Sequence, residues 1–322
     1  MNLYPLKFKP ILKERLWGGE KLREVLGKDF TSAEIGESWE ISGVEGDVST
    51  VANGPYEGKS LNDLISAHPE DLLGSDVVNR FGLAFPILIK FIDAKKDLSI
   101  QLHPDDELAR KRHNSFGKTE MWYVMDADPG AELIIGFKND LSREEFQKAM
   151  DSKSLTDYLH YEPVQSGDTY LINSGKIHAI GAGILLAEIQ QSSDVTYRVY
   201  DFDRRDSQGN LRELHTDLAV DAMDFKKKDD FRIQYSRALN RESPMVSCEY
   251  FKTSYLDLDS ETTMEFEDQH SFTVLICVQG NAQLVMGSWN VPVEKGETVL
   301  IPASAKKLVL KTSQSSFLKV SL

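Results

Sequence analysis

Short apolar runs closed by glycine or proline recur along this chain. They read FPILIKFI (85–92), LSIQLH (98–103), EMWYVM (120–125), AELIIGF (131–137), DTYLIN (168–173) and ILLAEIQQ (184–191). Asp128-Pro129-Gly130 and Gly181-Ala182-Gly183 mark turns between them. Runs this short, rich in β-branched and aromatic residues, fill strands rather than long helices. Many of them in succession predict a mainly β chain, built as a sandwich or barrel. Helical signals are few. Asp105 to Arg112 opens with acids and closes with bases, which suits the helix dipole, and Ser142 with Glu145 forms a capping box for a helix to Met150. Leu61 to Ala67 and Leu214 to Phe225 are two further candidates.

A length of 322 residues suggests about two domains. The polar stretch from 226 to 245, with KKKDD and then SRALNRESP, is the natural boundary. We therefore expect a first unit over 1–232 and a second over 233–322. The second is again β-like, with FTVLICVQG, AQLVMG, TVLIPA, KLVLKT and SFLKVSL. A faint repeat links the two: SGDTYLINSGKIHAI (166–180) parallels KGETVLIPASAKKLV (295–309). Gly167 aligns with Gly296, Ile172 with Ile301, and His178 with Lys307. The second copy thus lacks the histidine and is expected to serve packing or an interface rather than metal binding.

The formal charge of -14 argues against nucleic acid as a partner, which demands clustered Lys and Arg. A small anionic substrate stays open, since a few convergent cations act locally against a screened surface. The apolar run Phe81 to Ile92 is too short to span a bilayer and is broken by Pro86 and Lys90. The opening MNLYPLKFKP has no secretory apolar stretch, so a cytoplasmic location is expected. Cys248 and Cys277 fit a reducing compartment. P-loop, dinucleotide-glycine, G-x-S-x-G and CxxC motifs are all absent.

Four donors stand out: Gln101 and His103 in LSIQLHP, Glu120 in GKTEMWYV and His178 in SGKIHAIGAG. Two nitrogens and two oxygens suit a divalent first-row metal. Gln101 and His103 are two apart in a strand-like run and so leave one face. Gly175-Lys176-Ile177 is a turn able to aim His178 inward. A carboxylate at the head of an apolar strand, as at Glu120, is costly to bury without a counter-charge. His68, His113, His160 and His270 read as ordinary surface or core histidines.

Other polar residues sit in apolar surroundings. Lys118 shares a face with Glu120; beside a metal its pKa would fall and it could act as acid or base, or simply bind substrate oxygens. Glu188 and Gln190 share a strand face, followed by Asp194 and Arg198. Arg198 needs a partner, either a substrate oxyanion or an internal ion pair with Asp194 or Asp201. Lys90 and Ser99 could hold an oxyanion. Trp17 and Trp39 could line a sugar site or pack in the core.

At these motifs the chain resembles the type I phosphomannose isomerases. The matching text is FPILIKFIDAKKDLSIQLHPDDELA, GKTEMWYV, HAIGAGILLAEIQQSSDVTYRVYDFDR and RELH (212–215), with PLKFKPILKERLWGG and GESWEIS near the start. It covers most of residues 4–225, looks like the short bacterial form, and is weaker over the last third. The resemblance implies tandem cupin-type jelly rolls with a few short helices. It implies one zinc per chain on Gln101, His103, Glu120 and His178, an active-site arginine at Arg198, and Lys118 within the site. It also implies interconversion of mannose 6-phosphate and fructose 6-phosphate through an enediol, with a phosphosugar as the partner molecule. Lys118, Asp194 and Glu188 are unranked candidates for proton transfer, and Lys90, Ser99 and Trp17 are candidate substrate contacts. The short interval between Glu120 and His178 leaves out most of the helical insertion carried by longer members. Three other readings fit the donors: an Fe(II) oxygenase, a non-catalytic sugar-binding cupin, and an isomerase of unphosphorylated aldoses.

Overall fold

The computed structural model describes residues 3–205, 208–266 and 270–322. The strands of the first two thirds are β1 (Leu6–Lys7), β2 (Ile11–Gly19), β3 (Ile35–Ile41), β4 (Ile87–Ala94), β5 (Ile100–Leu102) and β6 (Glu120–Ala127). They continue with β7 (Glu132–Phe137), β8 (Leu159–Pro163), β9 (Thr169–Ile172), β10 (His178–Ile180), β11 (Ile184–Gln191) and β12 (Tyr197–Tyr200). The last third adds β13 (Glu242–Ser247), β14 (Lys252–Leu258), β15 (Thr262–Glu265) and β16 (Thr273–Met286). It closes with β17 (Trp289–Glu294), β18 (Thr298–Ile301), β19 (Lys307–Lys311) and β20 (Ser315–Ser321).

These strands form a six-stranded sheet in the order β2-β3-β4-β11-β6-β9 and a five-stranded sheet in the order β12-β5-β10-β7-β8. A nine-stranded sheet contains β1-β18-β16-β20-β14-β13, with β15, β17 and β19 alongside. The architecture is mainly β, as the turn-punctuated runs predict. Because β1 pairs with β18, the N-terminal strand sits in the C-terminal sheet.

β4, β6 and β11 show why their runs are apolar almost throughout. Every residue of β4 and β11 is buried. One face carries Ile89, Phe91, Tyr123, Ala187 and Ile189 into a core shared with Val274, Ile276 and Leu318 of the last third. The other face turns Ile92, Trp122, Val124 and Leu186 toward Leu133, Ile135 and Ile180 of the five-stranded sheet. A strand covered on both faces loses the in/out polarity alternation of an exposed sheet. Charges interrupting it therefore mark a special place, and Lys90, Glu120 and Glu188 all fall on the inward face. The outer face of the five-stranded sheet packs Ile100, Leu102, Ala179 and Val199 against Phe146 and Ala219 of two helices.

The helices agree with the capping signals. Ser60 and Ser142 each form a capping box, over Leu61–Ala67 and Arg143–Asp151, and Asp105 caps Asp106–His113. The helix expected over Leu214 to Phe225 is shorter, Thr216–Ala222. The repeat is legible in the backbone: Gly167 (φ 88°) and Gly296 (φ 86°) both turn into short strands, and His178 and Lys307 both begin the strand that follows. Lys307 is exposed and lies 3.2 Å from Glu265. No helix among the described residues is long and apolar enough to cross a membrane, and both cysteines are free thiols.

Candidate metal centre and active site

Two rows of cross-strand neighbours face each other. In the five-stranded sheet Arg198, Gln101 and His178 lie side by side. In the six-stranded sheet the row is Trp39, Lys90, Glu188 and Trp122, with Glu120 opposite Gln190 two residues along. Directly opposed residues of an antiparallel pair share one face. Between the rows lies a cavity of about 380 Å³, walled by Gln101, Lys118, His178, Glu188 and Arg198 among others. Trp17, Trp39, Lys90, Ser99 and Asp194 line it too, so the structure brings the predicted residues together.

Beneath the cavity His103, Glu120 and His178 are buried, with one donor atom each within 4.8 Å of the others. His103 Nε2 is 3.5 Å from Glu120 Oε2, and His178 Nε2 is 3.4 Å from Glu120 Oε1. Each imidazole is fixed from behind. Nδ1 of His103 donates to the Val195 carbonyl at 2.9 Å, and Nδ1 of His178 to the Lys176 carbonyl at 2.8 Å. A carbonyl only accepts, so the proton resides on Nδ1 and the Nε2 lone pair faces Glu120. Burial, the largest influence, lowers both histidines, His178 to about 4 and His103 well below its ordinary value. Both are neutral donors at physiological pH.

Glu120 is the residue of this cluster whose surroundings best suit a cation. It is fully buried; its Oε1 and His178 Nε2 have no hydrogen-bond partner, and its Oε2 meets the Lys118 ammonium at 3.0 Å. Burial and then Glu188 push its carboxyl up to about 7, against the pull of Lys118. Each unsatisfied buried polar atom costs about 1–3 kcal/mol, and more for a charged group. A divalent cation among these atoms relieves that cost, and the N/O donor set suits a first-row metal. Gln101 lines the cavity beside His178, and its Oε1 accepts a hydrogen bond from Ser99 Oγ at 3.2 Å.

Local sequence places these groups. Gly175, at φ 78°, makes the turn before His178, and a β-carbon there would meet the Ala222 carbonyl at 2.6 Å. Its N–H donates to the His103 carbonyl at 2.8 Å, tying the two histidine segments together. Gly117 fits where a β-carbon would meet the Asp105–Asp106 peptide at 2.6 Å. The next residues are pinned: Lys118 N–H donates to the Pro104 carbonyl at 3.1 Å, and Thr119 N–H to Gln191 Oε1 at 2.8 Å.

Lys118 Nζ lies 3.0 Å from Glu120 Oε2, 3.2 Å from His103 Nε2 and 4.0 Å from Glu188 Oε1. Burial lowers its pKa, but Glu120 and Glu188 outweigh burial and the net shift is upward. The lowered pKa expected from sequence requires the metal's own charge beside it. Lys90 Nζ sits 3.2 Å from Glu188 Oε1 and 5.0 Å from the Trp39 ring centroid. Glu188 Oε2 accepts from Trp122 Nε1 at 2.9 Å, while Oε1 has no hydrogen bond. Burial opposes its ionisation, yet Lys118 and Lys90 hold it below the usual carboxylate range. Glu120 and Glu188, both buried, thus shift in opposite directions: burial and the Glu188 charge prevail at Glu120, and Lys118 and Lys90 prevail at Glu188. Asp194 lies exposed at the cavity mouth.

Arg198 does not form the internal ion pair weighed from sequence. Asp201 is taken by Arg204 and Arg212, while Arg198 Nη1 donates to the Glu213 carbonyl at 2.8 Å. Its Nε is buried without a partner. Burial and then Arg212 lower its pKa. Arg212 and Arg15, which also line the cavity, were missed from sequence, as was Glu37. Glu37 accepts from Arg15 at 3.0 and 3.2 Å and from Trp39 Nε1 at 2.6 Å. Burial would raise its pKa, but Lys90 and Arg15 bring it to about 2. Its signal was available: in GESWEIS it stands two residues before Trp39 and so shares its face. Arg212 lies in a loop, where no periodicity announces it.

Residues 5–139 match the phosphomannose isomerase type I catalytic domain, and residues 241–318 the mannose-6-phosphate isomerase cupin domain. Mannose-6-phosphate isomerase ManA of Bacillus subtilis is 34% identical over 305 residues, covering 94% of each chain. The chain belongs to the type I phosphomannose isomerase family. Mannose-6-phosphate isomerase of Streptococcus mutans is 35% identical, over 94% of this chain and 93% of that one. The crystal structure of the Bacillus subtilis mannose 6-phosphate isomerase superposes with a TM-score of 0.90 at 35% identity, covering 99% of this chain and 100% of that one. Variants of phosphomannose isomerase from Salmonella typhimurium share the fold, with a TM-score of 0.79 at 18% identity. Membership of this isomerase family sets aside the oxygenase and the non-catalytic readings of the donors.

Proposed function

We propose that this chain is a zinc-dependent aldose–ketose isomerase that interconverts mannose 6-phosphate and fructose 6-phosphate through an enediol. One observation carries the metal dependence: a buried carboxylate, with Lys118 at one oxygen and no partner at the other, stands between two imidazoles whose Nδ1 protons are committed to backbone carbonyls. His103, Glu120 and His178, with Gln101 beside them, would hold one zinc per chain. When bound, zinc supplies Lewis acidity that stabilises the negative charge developing on the sugar oxygens.

The chain's own groups divide the remaining work. Lys118, charged and facing the cavity, delivers a proton to a sugar oxygen during ring opening. Glu188, held ionised and with Oε1 free of hydrogen bonds, is placed to take the proton that moves between C2 and C1. Asp194, exposed at the mouth, stays an alternative acid–base group. Arg198 adds fixed positive charge from its buried, unpartnered Nε. Trp17 and Trp39 offer apolar faces to the sugar ring. Lys90 and Ser99 are candidate phosphate contacts, although Lys90 is also the counter-charge of Glu188. Arg212 adds cationic charge on the same cavity wall. The proposal places all of this in the first unit, 1–232, and gives 233–322 a metal-free packing role.

A coupled assay with mannose 6-phosphate, run with and without chelator beside elemental analysis, tests the proposal. Turnover that survives full demetallation overturns it. Arg198→Ala is expected to keep its zinc and lower kcat about 10²–10³-fold, the usual cost of one preorganised oxyanion donor. Metal content beside steady-state kinetics checks this, and loss of zinc in a folded Arg198 variant contradicts the role. Arg212→Ala is expected to raise KM for mannose 6-phosphate by about tenfold or more, as loss of a charge-assisted contact implies. Its activity on free mannose should be unchanged. An equal loss on both sugars would assign Arg212 to loop structure instead.

A further inference from the structure

β3 serves two cavities. Glu37 and Trp39 line the catalytic one; Glu40, hydrogen-bonded by Ser38, alternates with them and lines the other. There a second cavity of about 520 Å³ opens between the N-terminal strand and β17–β18 of the last third. Its floor is a buried ion pair that the chemistry above leaves unused. Lys28 Nζ lies 2.7 Å from Glu40 Oε2, and Ser38 Oγ donates to Glu40 Oε1 at 2.6 Å. The residues Lys28 and Glu40 are only 8% and 4% exposed.

Two observations point to a ligand. Thr298, 5% exposed and lining this cavity, has a hydroxyl with no hydrogen-bond partner. A buried hydroxyl without a partner is uncommon and marks a place where an acceptor belongs. The second is the balance of donors and acceptors. Glu40 is satisfied by Lys28 and Ser38; Glu297 by Lys7 and the Glu294 N–H. The ammonium of Lys28 has one acceptor for three donors, and exposed Lys9 at the rim adds another cation. The lining therefore has surplus donors and surplus positive charge. Trp289, stacked on Tyr4 at 4.4 Å, and Pro292 give one wall an apolar surface.

We propose that this cavity is a second ligand site, separate from the catalytic one, for a small phosphorylated sugar. The phosphate meets Lys28, Lys9 and the Thr298 hydroxyl, and the sugar lies against Trp289. Since Ser38 and Glu40 alternate with Glu37 and Trp39, the ligand sits one strand thickness behind the catalytic wall.

The test is calorimetric titration of the metal-loaded enzyme with sorbitol 6-phosphate, which has no carbonyl to isomerise. Two binding events per chain are expected. Lys9→Ala and Thr298→Val should each weaken one event about tenfold and leave the other unchanged. Thr298→Val removes no internal hydrogen bond, so folding should be unaffected. Arg212→Ala should show the reverse, weakening the catalytic event alone; failure there would count against the proposed catalytic site and not against this one. A single event per chain in the unmodified enzyme, or two events both indifferent to Lys9→Ala and Thr298→Val, overturns the inference.

Discussion

Replacing His178 by alanine is expected to strip the metal and abolish turnover in one step. The imidazole contributes a neutral nitrogen 3.4 Å from Glu120, with its orientation fixed by the Lys176 carbonyl. Its cross-strand neighbours offer no replacement: Gln101 is already assigned to the metal, and Ile135 has no donor atom. Metal Lewis acidity is worth several kcal/mol of barrier, so kcat should fall by about 10³-fold or more. Stability should report the same loss. A ligand bound only by the native state at 1,000 times its Kd adds about 4 kcal/mol. The unmodified protein should therefore melt higher with zinc than with chelator, while the variant should melt alike in both. Elemental analysis, a steady-state assay and paired melts on one preparation measure all three quantities. A variant that retains stoichiometric zinc, or that turns over normally without it, refutes the ligand assignment.

How much of this was legible in the sequence depends on the range of the interactions. β11 coincides with its apolar run, Ile184 to Gln191, because both its faces are buried and the pattern is local. The cap signals at Ser142 and Asp105 are equally local and place helix starts correctly. The helices Pro69–Leu73 and Ser75–Phe81 were missed because each is too short to display a period. They are held by contacts across the fold, such as the Phe272 N–H to the Leu73 carbonyl. FTVLICVQG and AQLVMG looked like two strands, yet β16 runs through both; Gly280 takes φ 70° close to a bulge within one strand. The pairing of β1 with β18 joins ends of the chain that share no local signal.

The candidate site follows the same rule. Its proposed ligands and its lysines are visible as polar residues inside apolar strands, where burial demands a reason. Glu37 was legible by the same alternation but was overshadowed by Trp39. Arg212 was not, because a loop has no face until the fold closes and Asp201 draws it in beside Arg204. Nor could sequence separate Glu188 from Glu120. Their opposite shifts come from the fold: against burial, Lys118 and then Lys90, 3.2 Å away, hold Glu188 down, while burial and the Glu188 charge push Glu120 up.

Lys118→Met is expected to separate chemistry from metal binding. The ammonium stands 3.0 Å from Glu120 and 3.2 Å from His103, where a divalent cation would compete with it for the same donors. Removing a like charge from a metal site leaves zinc affinity intact or raises it. Turnover should fall about 10²–10⁴-fold, the range for loss of a positioned general acid or base. Lys118→Arg sharpens the test: it restores the positive charge but not a titratable proton, since guanidinium stays protonated. If Lys118 moves a proton, the arginine variant is as impaired as the methionine variant. If Lys118 acts only through its field, arginine restores much of the rate. Metal content, kcat and the pH profile of kcat/KM for both variants decide between these roles. Undiminished turnover in Lys118→Met would exclude both, and would leave Glu188 and Asp194 to carry the proton transfer.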